Sequence, residues 1–338
     1  MRLIDGVAGM SETEDREGKS NAPELSVILV VDGQRERAAA ALRSLLEQSP
    51  VDRMEILLFD LGPEGCRPLP NSDHPSVRMT RAGREYLLAG ARARGVRVAR
   101  APIVAFIEEH CLAQPGWAEA IIQANWERWA GVGCDFVSAN PDSGSSDKAF
   151  RMTYGIYVRP APARGPTNFI SGQNSAFKRD VLLRYDDQLD LMMDADLVLQ
   201  KKMTDEGHQL FHEPAAKIAH RNENTLPSLA VGAFYWNWCF GNVRAQVFKW
   251  SVPHKAFRIA VAPLIPWFRL AKLSLSMARQ GPATMLRFIG DLPYIVAIHH
   301  CSVAGQVAGL LNKLDTGARR FSHFEMNEPR LSRSEFAP

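Results

Sequence analysis

Acidic residues stand at three places where a reaction could be seated. Asp32, Asp60 and the cluster Glu108-Glu109-His110 each close an apolar run, LSVILVV from Leu25, MEILLFD from Met54 and APIVAFI from Ala101. Apolar, β-branched runs of this length suit strands buried on both faces. Ligands of open α/β sheets sit off the carboxyl ends of the strands, so the residues closing these runs are the ones that would meet a ligand. A polar residue after a buried strand often only terminates it, but acids in series on one edge are harder to dismiss. Such an edge repels a bare phosphate unless a cation, an arginine or a sugar hydroxyl intervenes. Asp32-Gly33-Gln34-Arg35 offers neither G-x-G-x-x-G nor a Walker A loop, which excludes dinucleotide oxidoreductases and P-loop NTPases. His208 and His212 flank a short strand after Gly207, lack a third ligand at metal-site spacing, and read as surface histidines.

The segments between these positions must hold them. RERAAAALRSLLEQ places Ala39, Leu42, Leu45 and Leu46 on one helical face, and Leu61-Gly62-Pro63-Glu64-Gly65 is a turn cluster. A Ser76–Thr80 strand, a helix over Glu85–Gly95 and a helix from Asp196 through Glu206 follow from the same patterning. The order strand, helix, strand, strand, helix, strand predicts an α/β protein with a mostly parallel sheet and helices on both faces. The 338 residues are 46% hydrophobic and 23% charged, with 40 Lys and Arg against 37 Asp and Glu, a net +3. That balance excludes disorder, collagen, a coiled coil and a general nucleic-acid binder. Five scattered cysteines without a C-x-x-C pair read as reduced thiols. Residues 1–23 are polar and without periodicity, so a floppy leader is expected, with no basic flank and apolar run to make a secretory signal.

The order of the pieces resembles the family 2 glycosyltransferases, whose catalytic domain has the GT-A fold. The resemblance runs from about Leu25 to His220. SVILVVDGQRERAAAALRSLLEQ looks like that family's opening strand and helix, and MEILLFDLG like its second strand. LLAGARARGVRVARAPIVAFIEEH resembles the approach to its D-x-D, Pro115-Gly116-Trp117 its next helix start, and FISGQNSAFKRDVL its acceptor-side segment. LMMDADLVLQKKMTDEGHQLFHEPAAKIAH resembles its E-D-x-D-L…H block. The resemblance implies a catalytic domain over residues 24–228 that uses a nucleotide-diphosphate sugar. It implies nucleotide contacts at Val31, Asp32, Asp60, Arg92 and Glu108, and an acceptor side at Gly172, Gln173 and Asn174. Metal ligands would be drawn from Glu108, Glu109, His110 and His220, and Asp194 would be the general base of an inverting transfer. Two positions depart from the family pattern: the second aspartate of D-x-D is His110, and the glutamate before the base is Met193. Imidazoles beside a carboxylate suit Mn²⁺ more naturally than Mg²⁺, which prefers oxygen. Asp196 reads as a helix cap, and Asp186, Asp187 and Asp190 as loop carboxylates.

Between Glu223 and Asp291 no acidic residue occurs, while arginines, lysines, tryptophans and phenylalanines are frequent. Residues 229–315 are therefore expected to form basic, aromatic helices that dip into an anionic membrane surface, followed by a polar tail over 316–338. Arg258, two prolines, Arg269 and Lys272 interrupt one apolar stretch, and Asp291, Pro293 and His299-His300 the other, which argues against spans. FYWNWCFGNVRA lacks the Q-x-x-R-W signature of processive synthases. The expected activity is single-sugar transfer to a hydroxyl acceptor (a glycan, a lipid-linked molecule or a small molecule). It is placed in the cytoplasm, peripheral to the inner face of the cell membrane. A degenerate scaffold and a polyprenyl-phosphate sugar synthase are the rivals.

Overall fold

The computed structural model describes residues 22–83, 86–140, 144–158, 163–223 and 225–328. The expected leader lies outside the described residues up to position 21. Nine strands form one sheet: β1 (Leu25–Val31), β2 (Met54–Asp60), β3 (Val77–Arg81), β4 (Ile103–Glu108), β5 (Cys111–Ala113), β6 (Gly131–Ser138), β7 (Gly165–Thr167), β8 (Ser175–Lys178) and β9 (Leu210–His220). Their order is β3-β2-β1-β4-β8-β6-β9-β5, with β7 on β9. The first four are mutually parallel. Beyond β4 the sheet is mixed, because β8 runs antiparallel to both β4 and β6.

The parallel half is what brings the acids together. Val31 pairs with Asp60, and Val30 with Glu108, so the three runs end in register on one edge. Alternation along β1 splits the core in two. Ile28 and Val30 pack with Leu57, Phe59 and Phe106 under α2 (Leu88–Val98). Val27, Leu29 and Val31 pack with Leu42 and Leu45 of α1 (Arg35–Leu46) on the other face. Burying each such Leu or Ile contributes about 1.5–3 kcal/mol.

Further helices are α3 (Trp117–Ile122), α4 (Gly144–Thr153), α5 (Arg179–Leu183), α6 (Leu189–Met192) and α7 (Asp196–Asp205). The C-terminal part holds α8 (Leu226–Val247), α9 (Val252–Val261), α10 (Ile265–Gln280), α11 (Pro282–Leu311) and α12 (Leu314–Asn327). The prolines do not break these helices where the sequence suggested. Pro263 and Pro266 fall at helix starts, where the missing N–H costs nothing, and α11 continues through Pro293. Val252–Gln280 and Pro282–Leu311 are thus long and apolar enough to cross a membrane, by length and composition. The expected polar tail is also corrected. Its first part is α12, which buries Phe321, Phe324 and Met326, because its apolar residues recur at helical spacing among the polar ones.

Two devices fix α11 to the rest. Gly305 and Gly309 lie so close to α8 that an added Cβ would meet the carbonyl oxygens of Phe234 and Trp238 at 2.2 and 2.1 Å. Asp291, buried in α11, accepts hydrogen bonds from Arg151 Nε at 2.8 Å and the Tyr157 hydroxyl at 2.9 Å, which ties the helix to α4.

Candidate active site

The sheet edge places Glu108 at the end of β4, and antiparallel pairing sets Cys111 opposite His220. As a result His110 Nε2 lies 3.1 Å from His220 Nε2. Glu108 Oε2 lies 3.5 Å from the first ring and 3.8 Å from the second. Asn222 orients His220. Its amide nitrogen donates to Ser138 Oγ, Asn140 Oδ1 and the His220 carbonyl, so its Oδ1, 2.9 Å from His220 Nδ1, accepts from that nitrogen. The proton on Nδ1 leaves Nε2 turned to the cluster as a lone-pair donor. Ligand atoms of Glu108, His110, Cys111 and His220 all lie within 4.8 Å of one another and are buried. Two imidazoles and a carboxylate fit a borderline divalent ion such as Mn²⁺ better than Mg²⁺.

Glu109 does not join this group, which corrects its expected place among the metal ligands. Arg37 Nε donates to its Oε1 at 2.9 Å and the Asp32 N–H to its Oε2 at 3.1 Å. Successive residues at the strand end point to opposite faces, and Glu109 faces α1. Burial pushes its carboxyl up to about 7, against the pull of Arg37.

Asp60 is held by Arg35, whose Nη1 and Nη2 each donate at 2.8 Å, and by the Gly62 N–H at 3.0 Å. Burial alone would raise its carboxyl; those donors hold it below the usual range. Arg92, buried in α2, lies 4.0 Å from Glu108 Oε1. Val31 ends β1, and the Asp32 carboxylate accepts from Asn327 Nδ2 at 3.3 Å.

The residues expected on the acceptor side divide. Gln173 lines a cavity of about 350 Å³ together with Glu108, His220 and Asp196. Asn174 instead turns onto Glu108, accepting its N–H at 3.1 Å and donating to its carboxylate. The Gly172 N–H donates to Asp196 Oδ2 at 2.9 Å, and a Cβ there would come within 2.6 Å of the Asp196 side chain. Glycine is required by that approach.

Asp194 lies between α6 and α7. Burial pushes its carboxyl up to about 7; Arg92 opposes that rise and Asp190 adds to it. It does not line the cavity, whereas Asp196 does, with an Oδ1 that makes no hydrogen bond among the described residues. Asp196, read as a cap, is instead the first residue of α7, whose N-terminus has no side-chain cap hydrogen bond, and its carboxylate faces the cavity while Oδ2 accepts from Gly172. Asp186 and Asp190 are occupied by Arg97. His212, expected at the surface, is buried in β9 because that strand lies inside the sheet rather than at its rim.

Arg35, Arg37 and Glu325 escaped the sequence reading. Glu325 of α12 brings Oε1 to 3.6 Å from His110 Nε2. An arginine at the start of the first helix, spaced to reach two strand ends, was a usable signal for the first two. Nothing local marks Glu325.

A family model described as Glycosyl transferase family 2 matches residues 26–185. Polypeptide N-acetylgalactosaminyltransferase 12 of Mus musculus is 27% identical over 174 residues, covering 44% of this chain and 30% of that protein. The chain therefore spans less than a third of the length of this curated relative. A mannosyltransferase of Pyrobaculum calidifontis, PcManGT, solved in complex with GDP-Man and Mn²⁺, matches 86% of this chain and 88% of its own with a TM-score of 0.52 and 16% identity. That likeness concerns the fold. Residues 26–185, from strand β1 to just after α5, are thus similar to glycosyltransferase family 2, and the sheet that carries them is of GT-A type.

Proposed function

We propose that the protein transfers one sugar from a nucleotide-diphosphate donor to a hydroxyl acceptor, with inversion. The observation that carries the reading is the convergence of Glu108, His110 and His220, with Glu108 and His220 lining the cavity that Asp196 also lines. A divalent ion held by Glu108, His110 and His220 would neutralise charge gathering on the departing diphosphate. Val31, Asp32, Asp60 and Arg92 would hold the nucleotide, and Asn174 keeps Glu108 aimed. Asp194 would take the acceptor's proton, since a carboxyl near 7 suits a base at neutral pH. A second reading gives that task to Asp196, because its carboxylate reaches the cavity.

The cavity also bears on the acceptor. Glu108, Asp196, Glu223 and Glu325 line it, with no Lys or Arg among the described lining residues. Clustered carboxylates repel a lipid phosphate and tolerate a neutral hydroxyl, which favours the hydroxyl acceptor over the polyprenyl-phosphate rival. Its walls are otherwise largely apolar: Phe136, Phe169, Trp236 and Ile298 among them. Large apolar side chains stand exposed on the α9–α11 hairpin, including Phe257, Leu264, Phe268 and Leu286. With the basic residues beside them they support docking on an anionic membrane surface, at its cytoplasmic face.

The test is donor hydrolysis and transfer by the purified protein with UDP-, GDP- and dTDP-sugars, with and without Mn²⁺, beside Asp194→Asn and Asp196→Asn. Turnover that drops about 10²–10⁴-fold in one variant identifies the base. Equal background from all proteins favours the scaffold.

A further inference from the structure

The nucleotide subsite assigned above is not open. Its edge is where the last turns of α12 are seated. Gln34 Nε2 donates to the Asn327 carbonyl at 3.1 Å, and Asn327 Nδ2 donates to Asp32 Oδ2 at 3.3 Å. Arg37 donates to three carbonyls at and just past the end of the helix, those of Glu325 at 3.1 Å, Met326 at 2.6 Å and Glu328 at 2.8 Å. The Leu88 N–H donates to Ser322 Oγ at 3.1 Å. Between Val30, Leu88, Arg92, Glu108, Glu325 and Met326 only about 10 Å³ remains, room for one water at most. Small-molecule sites run to about 300–1,000 Å³. Glu325 meanwhile sets an anionic oxygen 3.6 Å from His110 Nε2, the kind of group a diphosphate would bring there.

We propose that α12 is a built-in occupant of the nucleotide subsite, so that helix and donor compete for one edge of the sheet. The proposal rests on the donor reading for where the nucleotide goes. Its energetics are those of a protein competent only in a minor state: apparent donor affinity falls by the fraction of molecules with α12 lifted. The helix can lift without unravelling the hairpin, since only Asn312 and Lys313 join it to α11. It is held on two sides, by Ser322, Met326 and Asn327 on the catalytic domain and by Gly317 and Phe324 packed on Trp238, Gly232 and Tyr235 of α8, so lifting exchanges both sets of contacts.

Hydrogen–deuterium exchange on the full chain tests this with UDP, GDP and dTDP, each with MnCl₂. The nucleotide that binds is expected to speed amide exchange across 314–328 while slowing it at 31–37 and 88–92. Ser322→Ala with Asn327→Ala is expected to tighten binding of that nucleotide about fivefold or more, since each removes a hydrogen bond that holds the helix down. Unchanged or slower exchange in α12 on binding, with unchanged affinity in the double variant, overturns the proposal and makes α12 a fixed wall. Binding of none of the three nucleotides to either protein defeats the donor reading itself, and the proposal with it.

Discussion

Asp194 carries opposite consequences for stability and for turnover. In the folded protein it keeps its proton up to about pH 7, against an ordinary value of 3.8. The folded state therefore binds more protons than the unfolded one between those values, so stability falls as the pH rises through that window. Asp194→Asn is expected to raise the melting temperature at pH 8 and change it little below pH 4. The same variant should cut transfer by about 10²–10⁴ if Asp194 is the base, and wild-type turnover should fall about tenfold per unit below pH 7. Melts at the two pH values and a pH–rate profile check both signs. For the imidazole pair, Mn²⁺ at 100 times its Kd adds about 2.7 kcal/mol of stability, visible as a rise in melting temperature. His220→Ala is expected to abolish that rise, and melts with and without MnCl₂ decide it.

At this scale the strand-end acids were legible, because a buried strand announces where it stops. The division of labour between Glu108 and Glu109 was not. Two adjacent glutamates look alike in sequence, and only the docking of Arg37 shows which one is engaged as a structural ion pair.

Among the helices and strands, the parallel half followed from the sequence nearly residue for residue: the runs expected at 25–31 and 54–60 are β1 and β2. The mixed half was not legible. β7 and β8 are short, and their pairing depends on partners far along the chain. Prolines misled in the C-terminal helices, because a proline at a first helical position looks the same in a string as one that ends a helix. α12 misled through its charges, which mask an apolar face. The α8–α11 contact is the element whose failure is simplest to provoke. Gly309→Leu drives a side chain against the α8 backbone and is expected to cost about 1–3 kcal/mol. A melting temperature lower by several degrees, with the sheet's circular dichroism intact before melting, is the expected result.

For the molecule as a whole, a charge of +3 hides an acid-free stretch between Glu223 and Asp291 on the part that bears the exposed apolar side chains. Phe257 and Phe268 are 62% and 72% exposed there. The double variant Phe257→Ser, Phe268→Ser is expected to lose most of its binding to vesicles containing phosphatidylserine while keeping its turnover on a soluble acceptor. Sedimentation with vesicles at low and high salt checks this, and raised salt should weaken the wild type as well.

The clamp of Asp291 by Arg151 and Tyr157, with the glycine contacts beside it, has a further consequence. A hairpin bolted so firmly to the catalytic head cannot tilt independently of it. On a bilayer, were the hairpin to dock as proposed, the catalytic rim would stand at a set elevation above the lipid, and acceptors would be selected by how far they project before any contact with the sugar-transfer residues is made.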